Sequence, residues 1–148
     1  MMSPPPVVLV ACAAGKVAAP TVARDLYVST LFRAARRFAE THGDRWYILS
    51  ALHGVLEPAQ IIAPYECTLN SMRVAERRAW ASAINARLLS LLPKGRGVTI
   101  LAGRNYSEFI VPVLREHGYA VDLPLAHLPI GKQVQWLQRA NARDTPNP

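Results

Sequence analysis

The chain has 148 residues, 51% of them hydrophobic and 18% charged, with 17 Lys and Arg against 10 Asp and Glu for a formal net charge of +7. That apolar content suits one compact domain with a sizeable core and excludes a disordered chain. Its apolar runs fall short of the roughly 20 residues that span a bilayer, so no membrane partner is expected.

The opening "MMSPPPVVLVACAAGK" has no basic residue ahead of its apolar run, which reads as a strand and points to a cytoplasmic location. Cys12 and Cys67 lie far apart and outside any CxxC pattern, as free thiols of a reducing compartment do. Excess positive charge favours polyanionic partners, nucleic acid first, and serves equally to keep a surface solvated.

Residues 1–6, ending in "SPPP", read as an extended leader. "VVLVACA" (7–13) is continuous, β-branched and apolar, the pattern of a parallel strand covered on both faces. "STLFRAARRFAETHG" has Leu31, Ala34, Ala35 and Phe38 at helical spacing, Ser29 or Thr30 as N-cap and Gly43 as a stop. "RWYILSA" is a second strand, and "HGVLEPAQIIAPYECTLN" a loop of more than usual length, as functional loops often are.

"SMRVAERRAWASAINARLLSLLPKG" is the longest helix, with Val74, Trp80, Ile84, Leu88 and Leu91 as its apolar stripe and Arg73, Arg77, Arg78 and Arg87 off it. "GVTILAG" is a third strand. "YSEFIVPVLREHG" is a third helix, which Pro112 either kinks or confines to its first turns. "AVDLPLAHL" is a fourth strand or extended segment, "GKQVQWLQRANA" a last helix, and 141–148 a flexible tail. Trp46, Trp80 and Trp136 are assigned to the core. Strands alternating with helices predict the α/β class: one domain with three α/β/α layers around a mainly parallel four-stranded sheet with right-handed crossovers.

In open parallel sheets ligands bind beyond the carboxyl ends of the strands. Those ends carry Cys12, Gly15 and Lys16; Ser50, His53 and Gly54; Gly103, Arg104, Asn105 and Tyr106; and His127. Polar and cationic groups thus gather at the tips of almost wholly apolar strands. "ACAAGK" lacks the second glycine and the hydroxyl of a Walker loop, yet its backbone N–H groups and Lys16 suit an anion. Asp25 is a candidate general base or a helix cap, and Tyr27 and Ser29 stand near it. Glu57 and Glu66 sit in the long loop, where Tyr65, beside Glu66, has a ring able to stack on a base or sugar. Ser50 has no G-x-S-x-G elbow and reads as a ligand-contacting or backbone-capping hydroxyl. Cys12, His53, Cys67 and His127 lack the close spacing of a structural zinc site, so neither metal nor cofactor is expected.

"RDLYVSTLF", "WYILSALHGVLEPAQIIAPYECTL", "LAGRNY" and "LPLAHLPIGKQVQWLQ" together resemble a family of small, largely uncharacterised bacterial and phage domains. That family has a Cys-plus-Lys first loop and D-L-Y-x-S-x-L-F, I-L-S-A-x-x-G-L-L-x-P and P-Y-x-x-T-L segments. More remotely, the layout is similar to uracil-DNA glycosylase-like and peroxide-stress YaaA-like proteins, although "ACAAGK" has no counterpart of the glycosylases' first-loop aspartate. The remoter resemblance implies an enzyme acting on a nucleotide or nucleic acid at an N-glycosidic bond. In that reading Asp25 or Glu66 activates water, and His53 or His127 stabilises the departing base. Tyr65 and Tyr106 stack on the base, Asn105 reads its edge, and Lys16 and Arg104 hold phosphate. Cys12, Gly15, Tyr27, Ser50 and Gly103 complete the expected substrate site. The alternative is a non-catalytic module that binds DNA or RNA through its basic face.

Overall fold

A computed structural model describes residues 4–143. In chain order the elements are β1 (Val7–Ala11), β2 (Thr21–Val22), α1 (Ala23–Leu26), α2 (Thr30–His42), β3 (Arg45–Ser50), β4 (Gly54–Leu56), β5 (Ile61–Ile62), a 3₁₀ turn (Leu69–Ser71), α3 (Val74–Leu91), β6 (Val98–Leu101), α4 (Arg104–Ser107), α5 (Val111–Glu116), β7 (Val121–Asp122) and α6 (Ile130–Arg143).

β1 is central because it has no polar face to give to water. Val7 and Leu9 enter one core and Val8 and Val10 the other, and none of the four is more than 1% exposed. A strand of this kind must lie between two layers, with neighbours on both edges. β3 and β6 flank it in parallel, Leu9 standing opposite Tyr47 on one side and Ile100 on the other. The full order is β4-β3-β1-β6-β7, with β4 antiparallel to β3 and the other pairs parallel. Ala81, Ile84 and Leu88 of α3 and Val111 and Leu114 of α5 cover the Leu9 face; α1, α2 and Leu137 of α6 cover the Val8 face.

The α/β class and the helix-flanked, mostly parallel sheet therefore stand, but the sheet has five strands rather than four. The additional one, β4, lies inside the expected long loop: Gly54, at φ 75°, turns the chain back so that Val55 pairs with Leu49. β2 and β5 form a separate two-stranded antiparallel ribbon. The expected fourth strand is only β7, two residues long, after which residues 123–129 turn towards α6. The expected third helix is two short ones, and Pro112 sits in the first turn of α5, where no helical N–H is lost.

Ser29 is the N-cap of α2, its Oγ accepting from the Phe32 N–H at 3.1 Å, and Gly43 ends the helix. On α3 the buried stripe runs through Ala81, Ile84 and Leu88, whereas Val74, expected on it, is 49% exposed. None of the three tryptophans is fully buried. Residues 141–143 belong to α6 rather than to a tail; 1–3 and 144–148 lie outside the described residues.

Leu9 and Ile48 are fully buried, one in each core. Either one changed to Ala leaves a cavity and is expected to lower the unfolding free energy by about 2–5 kcal/mol. Urea denaturation followed by circular dichroism measures it, and a loss below 1 kcal/mol at both sites would contradict the two-core architecture.

Candidate functional site

The chain leaves β1 for β3 on one edge, then returns across the sheet through α3 to β6 on the other. The carboxyl end of β1 is thus the switch point of the sheet, where diverging connections open a crevice. Cys12, the first residue beyond β1, stands there, half-buried, with its N–H bonded to the Leu49 carbonyl.

On one side of Cys12 lies a chain of hydroxyls. Ser50 ends β3 and is fully buried; its Oγ accepts the N–H groups of Leu52 and His53 at 3.3 and 3.0 Å. With both lone pairs engaged, the Ser50 hydroxyl donates to Tyr65 Oη at 2.7 Å, and Tyr65 donates in turn to Tyr27 Oη at 2.6 Å. Tyr27 ends this chain of hydroxyls. Lys16 holds its ammonium 4.5 Å from the Tyr65 ring centre and 5.7 Å from that of Tyr27, and bonds the Ala14 carbonyl. The His53 ring meets Tyr65 edge-on at 5.1 Å. The Trp80 indole N–H donates to the Ser50 carbonyl at 3.0 Å, pinning α3 to this strand end.

On the other side a cleft of about 230 Å³ opens between the ends of β1 and β6. Phe32, Leu101, Leu125 and Ile130 give it apolar walls, and Cys12, Ser29, Asn70, Gly103, Tyr106 and Gln133 supply polar groups. Tyr106 Oη lies 3.4 Å from Cys12 Sγ and accepts the Leu69 N–H at 3.5 Å. Its ring packs edge-on against Trp80 at 5.6 Å. The Asn105 amide donates to Asn70 Oδ1 at 2.9 Å, fixing the rim.

Burial holds the phenols neutral. It pushes Tyr27 up to about 12, against a smaller opposing effect of the hydrogen bond from Tyr65. Tyr65 and Tyr106 are raised still further, mainly by burial and next by the neighbouring Cys12. Of the three tyrosines, Tyr106 is the one whose hydroxyl contacts the Cys12 thiol among the described residues.

The structure thus brings together Cys12, Lys16, Tyr27, Ser50, His53 and Tyr65, and next to them Gly103, Asn105 and Tyr106. Gly15 belongs to the same turn, its carbonyl accepting the Val28 N–H. The remaining candidates stand apart from this group. Asp25 is paired with Arg36 at 2.6 Å, its side chain 52% exposed, and neither caps a helix nor pairs with Arg24. Glu66 is exposed and makes no hydrogen bond or ion pair among the described residues. Arg104 is 88% exposed and reaches Glu108. His127 is exposed on a tight turn with φ 65°, a left-handed conformation costing about 1 kcal/mol or more outside glycine.

Sequence reasoning missed Trp80, read as a core residue, and Gln133 as a lining residue. The i, i+4 step from Trp80 to buried Ile84 resembles an ordinary apolar stripe, and only the fold aims the indole N–H at Ser50. Among the described residues no three His, Cys, Asp or Glu side chains are grouped to hold a metal, and no helix is long and apolar enough to cross a membrane.

A mixed α/β domain with a polar, tyrosine-lined crevice at the switch point of its sheet is the class that this geometry defines. The chain belongs to a family of unknown function (DUF6884), whose model matches residues 7–139. It is 31% identical over 130 residues to the uncharacterized protein YfjM of Bacillus subtilis (strain 168), covering 83% of this chain and 82% of that protein. No solved structure matches.

The raised phenols carry a consequence for alkaline stability. Unfolded tyrosines ionise near pH 10 and folded Tyr27 only near 12, so the preference for the neutral phenol supports folding fully below pH 10 and is lost as pH rises from 10 to 12. Denaturation series at pH 9, 10 and 11 are expected to show stability falling only above 10, with a shallower fall in Tyr27→Phe. An unchanged slope in that variant would contradict the burial of this hydroxyl.

Proposed function

We propose that the domain acts on a nucleotide or nucleic-acid base held in the cleft beside Cys12, and that the bond it addresses is the N-glycosidic bond. The observation that carries the reading is the cleft itself. Its volume lies below the roughly 300–1,000 Å³ of drug-sized sites, which suits a small planar group. Its apolar walls suit the faces of a base, and Asn70, Tyr106 and Gln133 offer donors and acceptors to a base edge. Lys16, over Tyr65, supplies a cation for an adjoining phosphate.

The chemistry requires a carboxylate. Of the two expected to act, Asp25 is neutralised by Arg36, so this reading turns on Glu66, on the loop that joins Tyr65 to Asn70 but exposed and outside the cleft lining. In this reading Glu66 takes a proton from water as the water oxygen bonds C1′. The base leaves with the electron pair of the C1′–N bond, and the proton passes to it. A second reading, binding without chemistry, is favoured by one observation: no carboxylate is among the residues lining the cleft.

The two readings separate in one experiment. The protein is incubated with each nucleoside 5′-monophosphate and with single-stranded DNA containing all four bases and uracil; released base is measured by chromatography and binding by calorimetry. The glycosidic reading expects release that Glu66→Gln lowers by about a hundredfold or more with binding within a few-fold of wild type. Undiminished release in Glu66→Gln would overturn the assigned role. Binding with no release from any probe would establish the non-catalytic reading.

A further inference from the structure

We infer that α6 presents a binding surface for single-stranded nucleic acid, beside the cleft; this rests on the base-binding reading above and makes its ligand a polymer rather than a free nucleotide. Lys132, Trp136, Arg139 and Arg143 lie at i, i+4, i+7 and i+11, so they share one side of the helix. With Leu128 and Gln135 they line a hollow of about 280 Å³. Between Lys132 and Arg143 the helix rises about 16 Å, long enough for its cations to meet successive phosphates.

Among the described residues this charge has no acidic partner. α6 contains no Asp or Glu, and Lys132, Arg139 and Arg143 make no ion pair or hydrogen bond among the described residues. Elsewhere Arg36 is paired with Asp25 and Glu40, Arg77 and Arg104 with Glu108, and Arg96 with Asp44, whereas Arg24, Arg33, Arg37, Arg73, Arg78, Arg87 and Arg115 are in no ion pair among the described residues. What sets α6 apart is that its cations flank an aromatic ring and line one hollow. Trp136 interrupts the row. One side of its ring packs on Phe38, with centroids 5.5 Å apart, while the residue also lines the open hollow. An aromatic platform among unpaired cations is the arrangement that binds unpaired bases and their backbone with little sequence preference. A duplex keeps its bases stacked and offers Trp136 nothing to stack on. A membrane would need a free apolar face, and that of α6, through Leu137, is already buried in the core.

The surface and the cleft are both lined by the start of α6. Ile130 and Gln133, in the first turn of α6, line the cleft, and Lys132 and Trp136 line the hollow beside it. A strand whose base enters the cleft thus has its flanking nucleotides against α6.

The test uses the full chain and a fluorescently labelled thymidine oligonucleotide of about a dozen nucleotides, within the usual span of such sites. The triple variant Lys132→Ala, Arg139→Ala, Arg143→Ala is expected to bind it about tenfold or more weakly at low salt. The slope of log affinity against log salt should shrink by about 2, the share of three phosphate contacts on a single strand. Nucleoside monophosphate binding should stay unchanged. Trp136→Leu should weaken oligonucleotide binding with the slope kept, and Trp136→Phe should restore most of it. The inference is overturned if the wild-type chain does not bind the oligonucleotide, if the triple variant binds it equally well, or if a blunt duplex or polyglutamate of equal charge competes as strongly as unlabelled single strand. If the wild-type chain binds no nucleoside monophosphate while oligonucleotide binding stays sensitive to the α6 variants, the cleft reading fails and the α6 surface stands.

Discussion

The hydroxyl of Ser50 is the contact on which the architecture of the site depends. It has no solvent of its own, so each of its hydrogen-bonding positions must be met from within the protein. Two backbone N–H groups of the β3–β4 turn take its lone pairs and Tyr65 takes its proton. Its carbonyl receives Trp80 from α3. A strand end, a hairpin, the loop carrying Tyr65 and the longest helix are thereby tied to one residue. Removing the oxygen would leave the Tyr65 and turn groups buried without partners, which costs more than the bonds contribute net.

That junction explains why the crevice persists beside so apolar a sheet. β1 brings Cys12 to the switch point because its own faces are both committed to core, leaving its exit as the first place where polar atoms can gather. The tyrosines gathered near this exit come from the ends of other elements: Tyr27 follows α1, Tyr65 precedes the 3₁₀ turn, and Tyr106, whose hydroxyl contacts Cys12, lies in α4. Tyr27 packs on Phe32 and Tyr106 on Trp80, whereas Tyr65 lies under the Lys16 ammonium and against His53. Burial keeps these hydroxyls protonated over the physiological range. They therefore act as neutral donors and acceptors, the property a site needs to recognise uncharged edges of a ligand.

The three central strands were legible because residues 7–11, 45–50 and 98–101 are short apolar runs of the kind parallel strands require. α2 was legible from its cap and period. β4 was not, since three residues beginning with glycine carry too little pattern, and only pairing with Leu49 makes them a strand. Val74 followed the helical period yet is exposed at the first residue of α3, ahead of the stretch whose residues are buried. The gathering of Cys12, Ser50 and Tyr106 at one edge followed from the rule that places sites at carboxyl ends. Their partners did not: Ser50 and Tyr65 are 15 residues apart, Tyr27 and Tyr65 38, and Cys12 and Tyr106 94. Local sequence carries no signal for contacts at such separations. Asp25 looked catalytic for the same reason, since its neutralising arginine lies 11 residues away on α2.

Net charge gains meaning only once the ion pairs are placed. Of the 17 basic residues set against 10 acidic ones, five (Arg36, Arg45, Arg77, Arg96 and Arg104) pair with a carboxylate among the described residues. Asp25, Glu40, Asp44 and Glu108 all have arginine partners on α2, α3, α4 or the loops around them, and Glu76 is drawn back to the start of α3. Glu57, Glu66, Glu116 and Asp122 make no ion pair among the described residues, and neither do Arg24, Arg33, Arg37, Arg73, Arg78, Arg87 and Arg115 of the body. α6 differs in carrying cations alone, with no Asp or Glu of its own. Charge at close quarters with a low-dielectric wall acts more strongly on a ligand than the same charge dispersed in water. α6 starts at the rim of the cleft, so its cations and the cleft lie along one helix and contribute to one local field.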